Sequence, residues 1–183
     1  EHPLITHKLT QLRKKETTTQ NFRQTLEEVA GLMAFEISRN LPLKEISIET
    51  PLSECKTKEL SADIVLIPIL RAGLGMVSGI TKMIPDARVG HMGLFRNEKT
   101  LEPVSYYTKF PPGLADSVVM VLDPMLATGG TANACLKELK EKGAENLKLV
   151  CVVGSPEGVK VIEDQHPDVE IILAVLDEKL DEN

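Results

Sequence analysis

Tryptophan is absent from the 183 residues and aromatic side chains make up only 3% of them, too few to build the stacking platforms on which single-stranded nucleic acids are held. Basic charge is not in excess either. There are 21 Lys and Arg against 27 Asp and Glu, giving a formal net charge of −6 and a pI near 5.3, which argues against a nucleic-acid partner while leaving room for one small anion. The three cysteines, Cys55, Cys135 and Cys151, are far apart and never in a CxxC pair. Neither a disulfide framework nor a zinc site is expected from them, and they read as small buried apolar residues or inert thiols. No apolar run approaches bilayer length and the start lacks the basic-then-apolar pattern of a signal peptide, so a soluble, cytoplasmic protein with no membrane partner is expected. There are no internal repeats and no low-complexity tracts. The chain opens at Glu1 instead of methionine, which reads as trimming at that end.

Hydrophobic residues at 42% and charged residues at 26% are ordinary globular usage, and the length suits one domain over residues 1–183. The chain is organised around residues 118–131, VVMVLDPMLATGGT. Val118, Val119, Met120, Val121 and Leu122 are uniformly apolar, as in a strand buried on both faces of a parallel sheet. The strand stops at Asp123, small residues follow, and 132–142 (ANACLKELKEK) has helical spacing with Cys135, Leu136 and Leu139 inward. Strand, acid, small-residue loop and helix together make an anion cradle. Glycines admit a ligand to the backbone, the helix start leaves N–H groups unpaired, and its dipole favours a phosphate. The nucleotide-triphosphate loop is excluded, because no lysine follows the second glycine, and no GxGxxG follows a strand. A tight βα turn shaped only by packing is the alternative.

From the start, 1–19 is polar and irregular, with PLITHKLTQLR as a helix or an arm, and His2 and His7 as solvated surface residues. With Thr19 as N-cap, Phe22, Leu26, Val29, Met33 and Ile37 predict a long amphipathic helix to about Arg39. Ile46 and Ile48 alternate with polar residues in a short strand that Pro51 closes. A second fully apolar strand, 64–70, runs into Arg71, Gly73 and Gly75, and a helix follows to Met83. Arg71 thus holds one strand end as Asp123 holds another, where open parallel sheets bind ligands; a plain surface ion pair is the alternative. Residues 88–95 and 102–110 are strand-like around a polar turn, a β-hairpin arm over about 91–110. His91 reads as a satisfied histidine on a strand, and Tyr106 and Tyr107 as hairpin packing or a subunit contact. Gly143 is placed to end the helix, 146–154 is another apolar strand, Pro156 starts a helix, and 171–176 is the last strand. Alternating strands and helices predict an α/β fold, a doubly wound, mostly parallel sheet.

DPMLATGGT resembles the phosphoribosyl-pyrophosphate motif of the type I phosphoribosyltransferases, in the form used by uracil phosphoribosyltransferases, whose variant has Asp followed by Pro where the general motif has two acids. PILRAGLGM resembles that family's pyrophosphate loop and GLFRNEKTLEPVSYY its mobile hood. The likeness runs from PLITHKL to LDEKLDEN, nearly the whole chain. It implies an enzyme of pyrimidine salvage that joins uracil to phosphoribosyl pyrophosphate, giving UMP and diphosphate. It also implies donor contacts at Arg71, Arg96, Asp123, Pro124, Met125, Leu126, Ala127, Thr128, Gly129, Gly130 and Thr131. Mg²⁺ would come mainly on the diphosphate, with no protein metal ligand and no catalytic side chain assigned. A homodimer or higher homo-oligomer is expected from the resemblance alone. Members of the family continue into a Gly- and Pro-rich segment that reads the uracil edge and helps hold the donor, whereas this sequence halts at Asn183. No uracil-contacting residue is therefore named. Either such a tail lies beyond this sequence, the favoured expectation, or the form is truncated with impaired base binding. The alternative function is a non-catalytic ligand sensor or interaction domain on the same fold.

Overall fold

The computed structural model describes residues 2–96 and 103–179, with the backbone alone at Arg96. In chain order come α1 (Pro3–Arg13), α2 (Thr19–Ile37), β1 (Leu43–Glu49), β2 (Glu54–Leu60), β3 (Asp63–Leu70), α3 (Leu74–Met83), β4 (Arg88–Val89) and β5 (His91–Arg96). After them follow β6 (Pro103–Lys109), β7 (Ser117–Leu122), β8 (Met125–Leu126), α4 (Gly130–Glu141), β9 (Asn146–Gly154), α5 (Pro156–Gln165) and β10 (Glu170–Leu176).

The main sheet has the order β10-β9-β7-β3-β5-β6, with β4 beside β3 and β8 beside β9. Its pairings are parallel except β5 with β6. Because side chains alternate along a strand, the unbroken apolar runs serve two cores. Leu66, Met120, Leu122, Val150 and Val152 pack with Val29, Ala30 and Met33 of α2 and with Met76 and Ile80 of α3. Their neighbours Val65, Ile67, Val119, Val121, Leu149 and Cys151 pack on the other face with Cys135, Leu136 and Leu139 of α4 and Ile162 of α5. Helices on both faces are why β3, β7 and β9 carry no polar stripe, and the expected doubly wound sheet is what forms.

Local signals set the helix ends. Thr18, one residue before the expected cap, accepts the Asn21 N–H at 3.3 Å, Pro156 opens α5 behind the Ser155 cap, and Gly143 takes φ +89 beyond α4. Residues 3–13, expected as a helix or an arm, form the helix: the His2 Nδ1 accepts the Leu4 N–H at 3.2 Å, Pro3 occupies the first turn, and Leu9 is buried against α2. Two expectations need correction. The strand expected at Ile46 and Ile48 is half of a separate antiparallel pair with β2. ECKTKEL carries no apolar alternation, because its residues are all exposed and it is paired by its backbone and by contacts such as Lys44–Glu59 at 2.9 Å. Cys55, on that strand, is exposed, while Cys135 and Cys151 are buried.

Candidate active site

Parallel pairing brings the carboxyl ends of β3, β7, β9 and β10 to one edge of the sheet. From β3 the chain crosses through α3 to β5 on one side, and from β7 it crosses through α4 to β9 on the other. The direction of winding therefore reverses between β3 and β7. Crevices of this kind, outside the carboxyl ends at a switch point, are where open α/β sheets take ligands. Pro68 pairs with Leu122, so Arg71 and Asp123 each follow closely after the end of one of the two strands that flank the crevice. Beside them, Leu70 pairs with Gly93. Leu94, Phe95 and Arg96 thus run on past the end of β3, by about 10 Å at strand rise, with β6 alongside. The Arg96 side chain and the turn at 97–102 lie outside the described residues.

Beyond Leu122 the backbone is pinned along β9. The Asp123 N–H donates to the Val150 carbonyl at 3.2 Å, and the Pro124 carbonyl accepts from Val152 and Val153 at 3.1 and 3.0 Å. Met125 and Leu126 then form β8 against Val153 and Gly154. Leu126 is buried and Met125 exposed, so this segment carries the chain from the strand end to the loop. Gly129, at φ +78, turns that loop into α4, which starts with no side-chain cap. The first bond into the helix runs from the Asn133 N–H to the Gly129 carbonyl at 2.8 Å, so the amides of Gly130, Thr131 and Ala132 precede it. Helix-start amides, the positive dipole end and two threonines, Thr128 and Thr131, are the elements from which a main-chain anion site is built.

The loop after β3 is tight as well. Gly73 donates its N–H to the Ile69 carbonyl at 2.9 Å, and Leu74, Gly75 and Met76 donate to Arg71, Ala72 and Gly73 at 3.3, 3.2 and 3.1 Å. The Leu70–Arg71 peptide is cis. A Cβ on Gly73 would stand 2.3 Å from the Leu122 carbonyl oxygen, so this loop presses directly on the end of β7. Arg71 is exposed, and no ion pair engages it among the described residues. Asp123 is half-buried; burial pushes its carboxyl up to about 6, against a smaller downward pull from the Met125 N–H. At neutral pH it is an acceptor for hydroxyls, and no ion pair engages it among the described residues. No cluster of three His, Cys, Asp or Glu capable of holding a metal occurs among the described residues.

The family model described as uracil phosphoribosyltransferase matches residues 1–183. The chain belongs to the uracil phosphoribosyltransferase family. It is 57% identical to the uracil phosphoribosyltransferase of Bacillus cytotoxicus and 56% to that of Bacillus cereus, covering 100% of this chain and 88% of each relative. Among solved structures, the AQ2163 protein of Aquifex aeolicus superimposes with a TM-score of 0.94 at 38% identity, over 100% of this chain and 88% of that one. A hypoxanthine-guanine phosphoribosyltransferase of Bacillus anthracis matches with a TM-score of 0.61 at 15% identity, over 85% and 79% of the two chains; it shares the fold. The protein is accordingly a transferase of the uracil phosphoribosyltransferase family.

In this uracil phosphoribosyltransferase-family chain, Asp123, Pro124, Met125, Leu126, Ala127, Thr128, Gly129, Gly130 and Thr131 run from the end of β7 through β8 and its loop into the first turn of α4, with Arg71 on the loop after β3. Sequence reading missed the partners that hold that segment. Ser155 caps α5 and donates its hydroxyl to the Ala127 carbonyl, and the His166 Nε2 meets Asn133 Oδ1 at 2.8 Å. Pro156 as the start of α5 was visible, but not the grip of Ser155 beside it on a loop nearly thirty residues earlier. A groove of about 1020 Å³ lies elsewhere, between α1, α2 and β10, and none of the expected donor-binding residues lines it. An anion cradle of main-chain amides is shallow and polar, so it need not coincide with an apolar hollow.

Proposed function

We propose that this protein transfers the 5-phosphoribosyl group of phosphoribosyl pyrophosphate to N1 of uracil, releasing diphosphate and forming UMP, and that the whole donor lies across the β3–β7 switch point. The observation that carries this reading is the close approach of the β3 loop to the end of β7, from which the phosphate loop departs, Gly73 against the Leu122 carbonyl, because the donor has a phosphate at one end and a diphosphate at the other. Amides and hydroxyls at 127–131 take the 5′-phosphate, and Pro124, Met125 and Leu126 set the reach from strand to loop. The Asp123 carboxylate accepts from the ribose hydroxyls. Arg71 and Arg96 take the diphosphate, with the β5–β6 hairpin as a hood over it. As the C1′–O bond to diphosphate breaks, positive charge grows on the ribose and negative charge on the leaving group. The chain's own residues orient the sugar and stabilise the leaving group with fixed charge; no proton-transfer side chain is required of them.

Mg²⁺ fits this arrangement when it arrives on the diphosphate with most of its waters, since the described residues offer no metal cage. The residues act as one catalytic domain in a cytoplasmic homodimer or higher homo-oligomer; exposed Leu43, Ile48 and Leu60 on the outlying β1–β2 pair suit a subunit contact. The test is to incubate the full-length protein with Mg²⁺, phosphoribosyl pyrophosphate and each nucleobase in turn. UMP formed from uracil, and no nucleotide from other bases, is the expected result. Donor binding with no turnover on any base would overturn it and point to a ligand sensor.

A further inference from the structure

α5 lies behind the phosphate loop and grips it at three places. At its N-terminus, Ser155 is buried, and its N–H donates to the Leu126 carbonyl at 2.9 Å while its hydroxyl donates to the Ala127 carbonyl and accepts the Gly158 N–H at 2.9 Å. In the first turn, a Cβ on Gly158 would stand 2.4 Å from the Ala127 carbonyl oxygen, and one on Gly129 would stand 3.0 Å from the Gly158 carbonyl oxygen. At its C-terminus, buried His166 meets Asn133 Oδ1 through Nε2 at 2.8 Å. Asn133 lies in the first turn of α4, and its own N–H closes on Gly129. One ten-residue helix thus fixes the loop before it begins, at its left-handed turn and just after it enters α4.

The chemistry of His166 supports a role beyond packing. An amide oxygen can only accept, so Nε2 carries the proton and Nδ1 is bare; Nδ1 is buried with no hydrogen-bond partner among the described residues. A leucine would fill this space without an orphaned nitrogen, so what the imidazole contributes is the bond to Asn133. Burial holds its pKa below the ordinary histidine value, aided by Lys140 and partly offset by Asn133 and Asp168. Lys140 of α4 and Asp168 pair with each other at 2.6 Å beside it. The neutral tautomer is therefore the resting one.

We propose that α5 is the template that keeps the phosphate loop in its binding shape, and that Ser155 and His166 are positioning residues for the donor's 5′-phosphate although neither faces it. The idea rests on the proposed placement of that phosphate at 127–131. A loop held open in advance loses less freedom when the anion arrives. Removing either pin therefore weakens binding of the phosphate end while leaving the diphosphate end, on the β3 loop, as it was.

The experiment measures dissociation constants of the full chain for two probes, ribose 5-phosphate and Mg²⁺–diphosphate, in Ser155→Ala, His166→Leu, His166→Gln and Thr131→Val, with steady-state kinetics on the complete donor. Losing the neutral hydrogen bond to Ala127 in Ser155→Ala, together with the α5 cap, or the one to Asn133 in His166→Leu, is expected to weaken ribose 5-phosphate binding roughly tenfold. Mg²⁺–diphosphate binding stays unchanged, and the kinetic effect falls on donor KM with kcat retained. His166→Gln, which still offers an N–H to Asn133, restores most of the loss. Equal weakening of both probes would mean general destabilisation and would overturn the proposal, as would unchanged ribose 5-phosphate binding while Thr131→Val is impaired. If Thr131→Val is also silent, the placement of the phosphate itself has failed.

Discussion

Gly73 and Leu122 are in contact across the crevice, the glycine's Cα facing the carbonyl oxygen that ends β7. Since a Cβ would come within 2.3 Å of that backbone oxygen and 2.8 Å of the Ile69 nitrogen, no rotamer change can relieve it. Gly73→Ala is expected to push the β3 loop away from β7, costing about 1–3 kcal/mol as overpacking does. Denaturant titration measures that cost. Donor KM should rise far more than uracil KM, because the separation between phosphate and diphosphate sites changes. A variant of wild-type stability and donor KM would show that the loops do not form one site.

The Asp123 carboxyl gives a prediction whose sign depends on pH. Its pKa in the folded protein is raised from 3.8 to about 6 by burial. Below the lower value both folded and unfolded chains are protonated there and the group contributes nothing. As pH rises from 3.8 through about 6, the unfolded chain ionises first and the folded state loses stability, by at most about 3 kcal/mol once both are ionised. Asp123→Asn should therefore melt higher than wild type at pH 8 and near wild type at pH 4. The same substitution should weaken donor use, since an amide is a poorer acceptor for ribose hydroxyls, and wild-type donor affinity should fall as pH drops below 6. Parallel melting curves at both pH values would refute the burial argument; unchanged donor kinetics would refute the hydroxyl contact.

The separation between what was legible in the sequence and what was not follows the range of the interactions. Val118 to Leu122 and 64–70 announced themselves because burial on both faces requires unbroken apolar runs, and α2, α4 and α5 because caps, Pro156 and Gly143 act within a few residues. The doubly wound, mostly parallel sheet follows from the alternation of strands and helices, whereas the strand order, and so the switch point, is set by which strands pair in the fold. β2 was missed because ECKTKEL is exposed along its whole length and is held by its partner strand. β8, Ser155 and His166 were missed because their bonds join segments far apart in the chain: Ala127 to Ser155, Asn133 to His166, Pro124 to Val152. No local propensity encodes such pairings. The result is that the residues proposed to face the anion were readable as one motif, and the residues holding that segment in place were not.

Arg71 stands exposed at the end of β3 with no ion pair among the described residues, so little folded-state structure depends on its charge. Arg71→Ala should accordingly leave the melting temperature within the small range typical of surface substitutions, about 0.5 kcal/mol. Binding of Mg²⁺–diphosphate should weaken tenfold or more, since a charge-assisted contact contributes about 1.5–3 kcal/mol, with ribose 5-phosphate and uracil little affected. Arg71→Lys should recover part of the loss, a point charge replacing a two-pronged donor. Calorimetry with the separate probes checks this, and equal loss for ribose 5-phosphate would remove Arg71 from the diphosphate site.

Gly129 carries two requirements at once, and a single substitution tests both. Its φ of +78 lies in the left-handed region, and a Cβ there would stand 3.0 Å from the Gly158 carbonyl oxygen and from the side chain of Val161. Alanine would add a conformational cost of about 1–2 kcal/mol, and because the conflict includes backbone on α5, the loop is the part free to shift. Gly129→Ala should therefore lower stability modestly in denaturant titration while raising donor KM by much more than that loss of stability explains. Gly143→Ala is the control: it shares a left-handed φ of +89 but has nothing within 4 Å of its Cβ. It should lose comparable stability and keep donor KM. If the two variants behave alike toward the donor, the left-handed turn at Gly129 serves the fold alone, and the main-chain amides beyond it are not held for a phosphate.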